Sequence, residues 1–284
     1  MTWAIRDKGY SQRRACGLVG LHPKTYRYAS KRTGDEDLRA RLRELASQRR
    51  RFGYRRLGLL LARQGIRVNH KKVLRLMRER ELLCKPRRRW VRTTDSNHRY
   101  RIYPNLLPSN PVTAPNQVWV ADITYIRLPT VFVYLAVVLD LFSRKAIGYG
   151  LSRQIDSHLS LQALHRALQS RNPPVGVPHH SDRESQYAAD DYVHTLLRGG
   201  FQISMARKGN PYDNAVAESF IKTLKTEEIY LWEYRTLEDV ENRVPQFIEQ
   251  VYNQKRLHSA LNYRPPEEFE KMFFTQNPCL TALT

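Results

Sequence analysis

The sequence predicts an α/β protein whose sheet starts antiparallel, led by small all-α units. Three observations carry that expectation. From residue 116 onward, apolar runs of strand length alternate with stretches of helical period. Three strand-like runs come in succession before the first of those helices. Positive charge is confined to the other end: residues 1–110 hold 30 Lys and Arg against 8 Asp and Glu, while residues 111–284 hold 18 against 19. The net charge of +21 therefore belongs to a basic leading part that calls for a polyanionic partner, ahead of a near-neutral part.

The first unit is expected over residues 1–30. Within it, 11–28 reads as a small helix-turn-helix, with Ser11 as N-cap, Ala15, Leu18 and Val19 facing inward, and Gly20 at the turn. His22-Pro23 opens its second helix, which carries Lys24, Tyr26 and Arg27. A stronger helical unit covers residues 36–83. Leu38, Leu42 and Leu45 give one amphipathic helix, and Leu57, Leu60 and Leu61 give a second between Tyr54 and Arg63. Gly65 breaks that helix, Asn69 caps the next, and Val73, Leu76 and Met77 bury it. The opposite face of this third helix carries Lys71, Lys72, Arg75 and Arg78. A helix apolar on one side and basic on the other, after a Gly-containing turn, has the shape of a DNA recognition helix.

Residues 84–115 read as a basic, proline-rich linker in which Arg87, Arg88 and Arg89 suit the tracking of phosphates. The α/β part then runs over 116–272. Val118–Ile126 and Val131–Leu141 form a strand pair turning at Leu128-Pro129-Thr130, and Lys145–Leu151 is a third strand containing Gly148 and Gly150. A helix over Ser157–Gln169 follows, then a strand over Val175–His180, a helix over Asp190–Arg198 and a strand over Phe201–Ala206. Asn214–Tyr230 and Leu237–Tyr252 close the series as helices. Three strands, helix, strand, helix, strand, helix is the order of the ribonuclease-H-like fold, a mixed five-stranded sheet with helices.

Three acids stand out against this frame. Asp122 lies inside an apolar strand, where a carboxylate is costly to bury unless a partner or a metal compensates it. Asp182 falls just past the C-terminal end of a strand, the usual ligand edge of open α/β sheets. Glu218 lies one turn into the helix that starts near Asn214, itself a good N-cap. Lys225, seven residues later, shares the Glu218 face. Singly, each acid has a duller reading: an edge-strand charge, a turn residue, a helix-surface charge. Together, acids from two strands and one helix could hold a pair of divalent cations against a phosphodiester. His179 and His180 lack metal-ligand companions and read as loop residues, and Asp140 is expected to cap the turn into the third strand.

Thirty-five residues separate Asp182 from Glu218. With that spacing come the blocks Trp119-Val120-Ala121-Asp122-Ile123-Thr124-Tyr125, Leu139-Asp140-Leu141-Phe142-Ser143-Arg144 and His180-Ser181-Asp182-Arg183. Gly209-Asn210-Pro211-Tyr212-Asp213-Asn214-Ala215, Glu218-Ser219-Phe220 and the run from Tyr252 to Leu261 continue the series. On these motifs the chain resembles, over nearly its whole length, the DDE transposases of the insertion sequence three family and their retroviral-integrase relatives. The resemblance implies metal-dependent cleavage and strand transfer at DNA 3′ ends. In it Asp122 bridges two Mg²⁺ or Mn²⁺ ions, Asp182 and Glu218 each complete one site, and Lys225 positions a phosphate. Asn210, Tyr212 and Asn214 either line the DNA channel or hold the loop. The implied partners are the element's terminal inverted repeats, target DNA, further copies of the chain in a dimer or larger assembly, and an upstream reading-frame product. A cytoplasmic, nucleoid-associated location goes with these.

One position departs from the family pattern, in which a glycine follows Asp-Arg: Glu184 stands there. If that backbone needs positive φ, Glu184 is strained; if not, it adds a negative charge near the metals.

Other classes fit less well. Cys16, Cys84 and Cys279 are far apart and form neither a disulfide framework nor a zinc pattern. No leader and no membrane-length apolar run is visible, and no P-loop motif occurs. A tyrosine recombinase would draw on Arg256, His258 and Tyr263, which are crowded within eight residues and read better as a helix end packed against the core or DNA. A non-catalytic helix-turn-helix regulator leaves the buried Asp122 unexplained. A plain ribonuclease-H-type nuclease leaves the basic leading units without a task.

Overall fold

The computed structural model describes residues 9–27, 35–84, 100–107, 111–207 and 213–278. In the leading unit α1 (Gln12–Leu18) and α2 (Pro23–Arg27) form a short pair. Ser11 caps α1 by accepting from the Arg14 N–H at 3.4 Å. Ala15 and Cys16 are buried while Leu18 is 63% exposed, so Leu18 does not join the inward face that the spacing predicted. A two-turn helix has one inward stripe, and those two smaller residues occupy it.

Three longer helices follow: α3 (Glu36–Gln48), α4 (Tyr54–Arg63) and α5 (His70–Glu79). They enclose Leu42, Leu45, Leu57, Leu61, Val73, Leu76 and Met77, all anticipated from the helical period, together with Phe52 from the α3–α4 turn. Each such side chain contributes roughly 1.5–3 kcal/mol by leaving water. Gly65 ends α4 at φ +84°, a conformation strained for any residue with a Cβ. Asn69 caps α5, its Oδ1 accepting from the Lys71 N–H at 2.8 Å.

The sheet has five strands in the order β3-β2-β1-β4-β5. They are β1 (Trp119–Arg127), β2 (Phe132–Asp140), β3 (Ala146–Ser152), β4 (Pro178–Ser181) and β5 (Gln202–Met205). The first three are antiparallel, and β4 and β5 join parallel to β1. This is the expected ribonuclease-H-like arrangement. Because β1 is central, residues of both parities are buried, and Asp122 cannot be an edge-strand charge.

Helices cover both faces. Against one lie α6 (Ser157–Ser170) and α8 (Asp190–Arg198), packed on Trp119, Ala121, Ala136 and Val138. The short helix α7 (Ser185–Ala188) precedes α8. Against the other lie α9 (Ala215–Glu227) and α10 (Leu237–Gln246), packed on Val118, Val120, Leu135 and Val137. Gly148 shows how closely α6 approaches: a Cβ there would stand 2.1 Å from the Ala163 carbonyl oxygen. The helix expected to run to Tyr252 changes character after Pro245, continuing as a π-helical run over Phe247–Asn253. Proline has no N–H to donate and its ring displaces the preceding turn, so the chain widens there. The last helix is α11 (Pro266–Gln276).

Each outer strand is tied off at one end. At β3, Asn253 Oδ1 accepts from the Ala146 N–H at 3.0 Å while its Nδ2 donates to the Ala146 carbonyl at 2.9 Å. At β5, the Met205 N–H donates to the Pro104 carbonyl at 3.3 Å and the Leu106 N–H to Ser204 Oγ at 2.8 Å. Tyr103, Leu107 and Val112, inside the segment read as a linker, pack against the two cores. Among the described residues, no helix is long and apolar enough to cross a membrane.

Candidate active site

Register places the first two acids. In the parallel pair, Val120 lies opposite His180. Asp122, two residues further along β1, returns to the Val120 face, and Asp182, two residues beyond His180, is the first residue past the end of β4. That face is the one covered by α9. The ladder between β1 and β4 ends at Val120 and His180, and the strands part where the acids stand.

The third acid arrives through Asn214. Its Nδ2 donates to the Ala121 carbonyl at 3.0 Å, pinning the start of α9 to the strand residue beside Asp122. Glu218 then sits in the first turn of α9 with its side chain exposed. Asn214 itself is buried and makes no side-chain cap, so it holds the loop rather than facing DNA or capping the helix. Arg207 and Asp213 clasp the two ends of the intervening loop, the Arg207 N–H donating to Asp213 Oδ2 at 2.9 Å. Asn210 and Tyr212 lie outside the described residues, as do Arg87, Arg88 and Arg89.

The electrostatics show that the acids share one neighbourhood. Burial lifts the Asp122 carboxyl well above the usual carboxylate range, and the negative charges of Asp182, Glu184 and Glu218 push it further. Part of Asp122 still reaches solvent, but the protein surrounding its carboxyl governs. Its Oδ1 accepts from the Ile123 N–H at 2.8 Å, and Asp182 Oδ1 accepts from the Glu184 N–H at 3.1 Å. Lys225 faces the acids from α9. Burial lowers its pKa, Asp122 opposes that shift, and its Nζ lies 4.5 Å from the centroid of the Tyr125 ring.

Glu184 settles the alternatives its position raised. Its backbone is extended, at φ −75° and ψ 147°, so no strain arises and the consequence is an added carboxyl beside Asp182. The side chain is only 8% exposed, and burial with Asp182 nearby pushes its pKa up to about 8.

Other expectations resolve as follows. His179 and His180 are not loop residues: both are buried on β4, His179 Nε2 beside the Tyr192 hydroxyl at 3.1 Å and His180 Nδ1 beside Ser204 Oγ at 2.8 Å. Asp140 caps its turn as expected, its Oδ1 accepting from Ser143 N–H and Oγ–H at 2.8 and 2.9 Å. On α5, Lys71 and Arg78 are exposed, whereas Lys72 and Arg75 pair with Asp35 at 2.6 and 3.3 Å. Arg256 and His258 are buried against the core. Sequence reading missed Tyr187, a buried tyrosine near Asp122 and Asp182, and Glu227, which ties α9 to α4. Gln186-Tyr187, closely following Asp182, is a signal for the first; nothing local points to the second.

An HTH-like domain model matches residues 34–90, and two integrase core domain models match 112–211 and 199–266. The chain is 40% identical over 226 residues to the 31 kDa protein of insertion element IS600 from Shigella sonnei, covering 79% of this chain and 83% of that one. The transposase for insertion sequence element IS904 from Lactococcus lactis is 39% identical over 231 residues, 78% of this chain and 88% of that one. Transposase InsF for insertion sequence IS3A from Escherichia coli K12 is 38% identical over 223 residues, 78% of this chain and 77% of that one. Fold and matches together define an integrase-core protein with a leading HTH-like domain. The chain belongs to the insertion sequence three family of transposases.

Proposed function

We propose that this transposase cuts and joins DNA 3′ ends at the pocket around Asp122, using a pair of Mg²⁺ or Mn²⁺ ions. One observation carries the reading: a carboxylate on the central strand shares its surroundings with three more, and Lys225 stands opposite them. Negative charge gathered at one spot is unfavourable for the fold alone and suits a cation.

The donor set fits hard divalent cations, being oxygen throughout, and it includes a buried Glu184 oxygen, Oε2, with no hydrogen-bond partner. As the side chains stand, no three His, Cys, Asp or Glu among the described residues are gathered closely enough to hold an ion. Asp122 and Asp182 are instead turned to backbone donors, and Glu218 is free to swing from an exposed helix turn. Asp122 would be common to both ions, with Asp182 and Glu218 each completing one site. When bound, such a pair makes a hydroxyl nucleophilic at neutral pH and stabilises the leaving oxygen.

The chain's own residues do the rest. Lys225, steadied by the Tyr125 ring, meets a phosphate oxygen beside the scissile bond. Lys71 and Arg78 bring exposed charge to the DNA backbone from α5, and Arg87, Arg88 and Arg89 add further charge before the core. Lys72 and Arg75 border the same face. The DNA partners are the terminal inverted repeats of the element and its target. Joining two ends requires two active sites, so copies assemble on DNA as a dimer or larger, with an upstream reading-frame product as a further partner.

Oligonucleotides bearing pre-cut element ends, mixed with plasmid and Mg²⁺ or Mn²⁺, test this directly. Wild-type protein is expected to join them, and Asp182→Asn to lose joining. Undiminished joining by Asp182→Asn would remove the metal-site assignment.

A further inference from the structure

Glu184 brings a fourth carboxylate to the pocket. It is more than nine-tenths buried, its Oε2 has no hydrogen-bond partner, and it interacts electrostatically with both Asp122 and Asp182. Its amide N–H donates to Asp182 Oδ1, so the two side chains leave one tight turn. A second orphan lies beside it. The Tyr187 hydroxyl, in a residue 2% exposed, has no partner and interacts with Asp122, Asp182 and Glu184.

A buried polar atom without a partner is costly to the fold, and the described residues hold twelve such side-chain atoms. Two of them, on residues three apart and beside the same acids, mark a place where oxygen donors are kept for a ligand. The chemistry of the ligand follows from the donors. A divalent cation such as Mg²⁺ or Mn²⁺ takes about six oxygens, so a pair has room for a fourth carboxylate besides three. Carboxylates that hold metals are themselves oriented by hydrogen bonds, which a tyrosine hydroxyl can give.

We propose that Glu184 is a fourth carboxylate ligand of the divalent-cation centre, and that the Tyr187 hydroxyl donates to one of its carboxylates and positions it. This rests on the metal-dependent reading above. The glycine that the family pattern carries at this position has no side chain to offer, so this chain is expected to hold its cation more tightly than a glycine-bearing one.

Calorimetric titration of Mn²⁺ alone into the full chain, without DNA, tests it. Asp122→Asn is expected to lose Mn²⁺ binding. Glu184→Gln is expected to weaken binding by at least about 10-fold, and Tyr187→Phe by less. Glu184→Gly serves as a second variant should the glutamine form fail to fold, and is expected to bind as weakly. If Asp122→Asn loses binding while either folded Glu184 variant binds like wild type, the fourth-ligand proposal is overturned and the metal-dependent reading stands. If Asp122→Asn binds Mn²⁺ as wild type does, the reading itself is overturned.

Discussion

Arg56 of the basic helical unit bonds to Glu227, the last residue of the helix that carries Glu218, at 3.2 Å. The same carboxylate takes two bonds from Arg256, at 2.8 and 2.9 Å. The Glu227 and Arg256 side chains are 10% and 8% exposed, so this is a buried pair with a third, more open member. Removing Glu227 strands Arg256, whereas removing Arg56 leaves the Glu227–Arg256 pair intact. Glu227→Ala is expected to cost about 3–5 kcal/mol in urea unfolding, and Arg56→Ala closer to 1 kcal/mol. Equal losses would show that the pair is not the stabilising element.

Asp122→Asn keeps the side chain's shape and removes a carboxyl that is costly to bury among other acids. Metal-free protein carrying it is expected to melt a few degrees higher than wild type while losing end joining altogether. Differential scanning calorimetry in chelator, beside the joining assay, checks both. A lower midpoint in the variant would mean that the Asp122 carboxylate stabilises the fold.

The two kinds of basic residue on α5 separate by salt dependence. Lys71 and Arg78 are exposed, while Lys72 is already paired with Asp35. Lys71→Ala is expected to lower the slope of log affinity against log salt by about 0.9, one phosphate contact. Lys72→Ala is expected to change it less. Filter-binding or anisotropy titrations with duplex DNA at several salt concentrations read this out.

Three buried histidines make the fold sensitive to acid, two of them held furthest from protonation. Burial holds the pKa of His179 and His258 at about 3, with Arg256 reinforcing the effect at His258. Folded, both refuse the proton that the unfolded chain accepts below about 6.5. Stability is therefore full above that value and falls as pH drops, by about 1.4 kcal/mol per pH unit for each residue. The carboxyls of Asp122 and Glu184, held high in the folded chain, take up protons over the same range and offset this, so it is in the Asp122→Asn, Glu184→Gln double variant that the urea midpoint at pH 5 is expected to lie well below that at pH 7. A flat profile would show that neither histidine is held neutral.

Much of this molecule is written in local patterns. The leucines of α3, α4 and α5 repeat at the helical period and are buried where that period put them. Asp182 stands where a strand ends, and Glu218 where a helix begins, so both were placed by boundaries alone. What local pattern lacks is the partner. Asp35 and Lys72 are separated by a helical hairpin, and Arg56 and Glu227 by most of the chain, so their pairing depends on how helices pack. The histidines of β4 misled because polarity usually signals a loop, whereas here Tyr192 and Ser204 supply the bonds that let them be buried. Asn214 reads as a helix cap because its position is right, but its Nδ2 is turned to the Ala121 carbonyl and its Oδ1 meets no helix N–H.

The ties at the two outer strands bear on how copies of this chain gather. At β3 a single amide side chain occupies the donor and acceptor that an incoming strand would use, and at β5 the residues before the core do the same. At those residues a neighbouring strand finds the ladder positions already taken. A strand laid along either edge would first have to displace those bonds, which disfavours extending the sheet from the start of β3 or the end of β5.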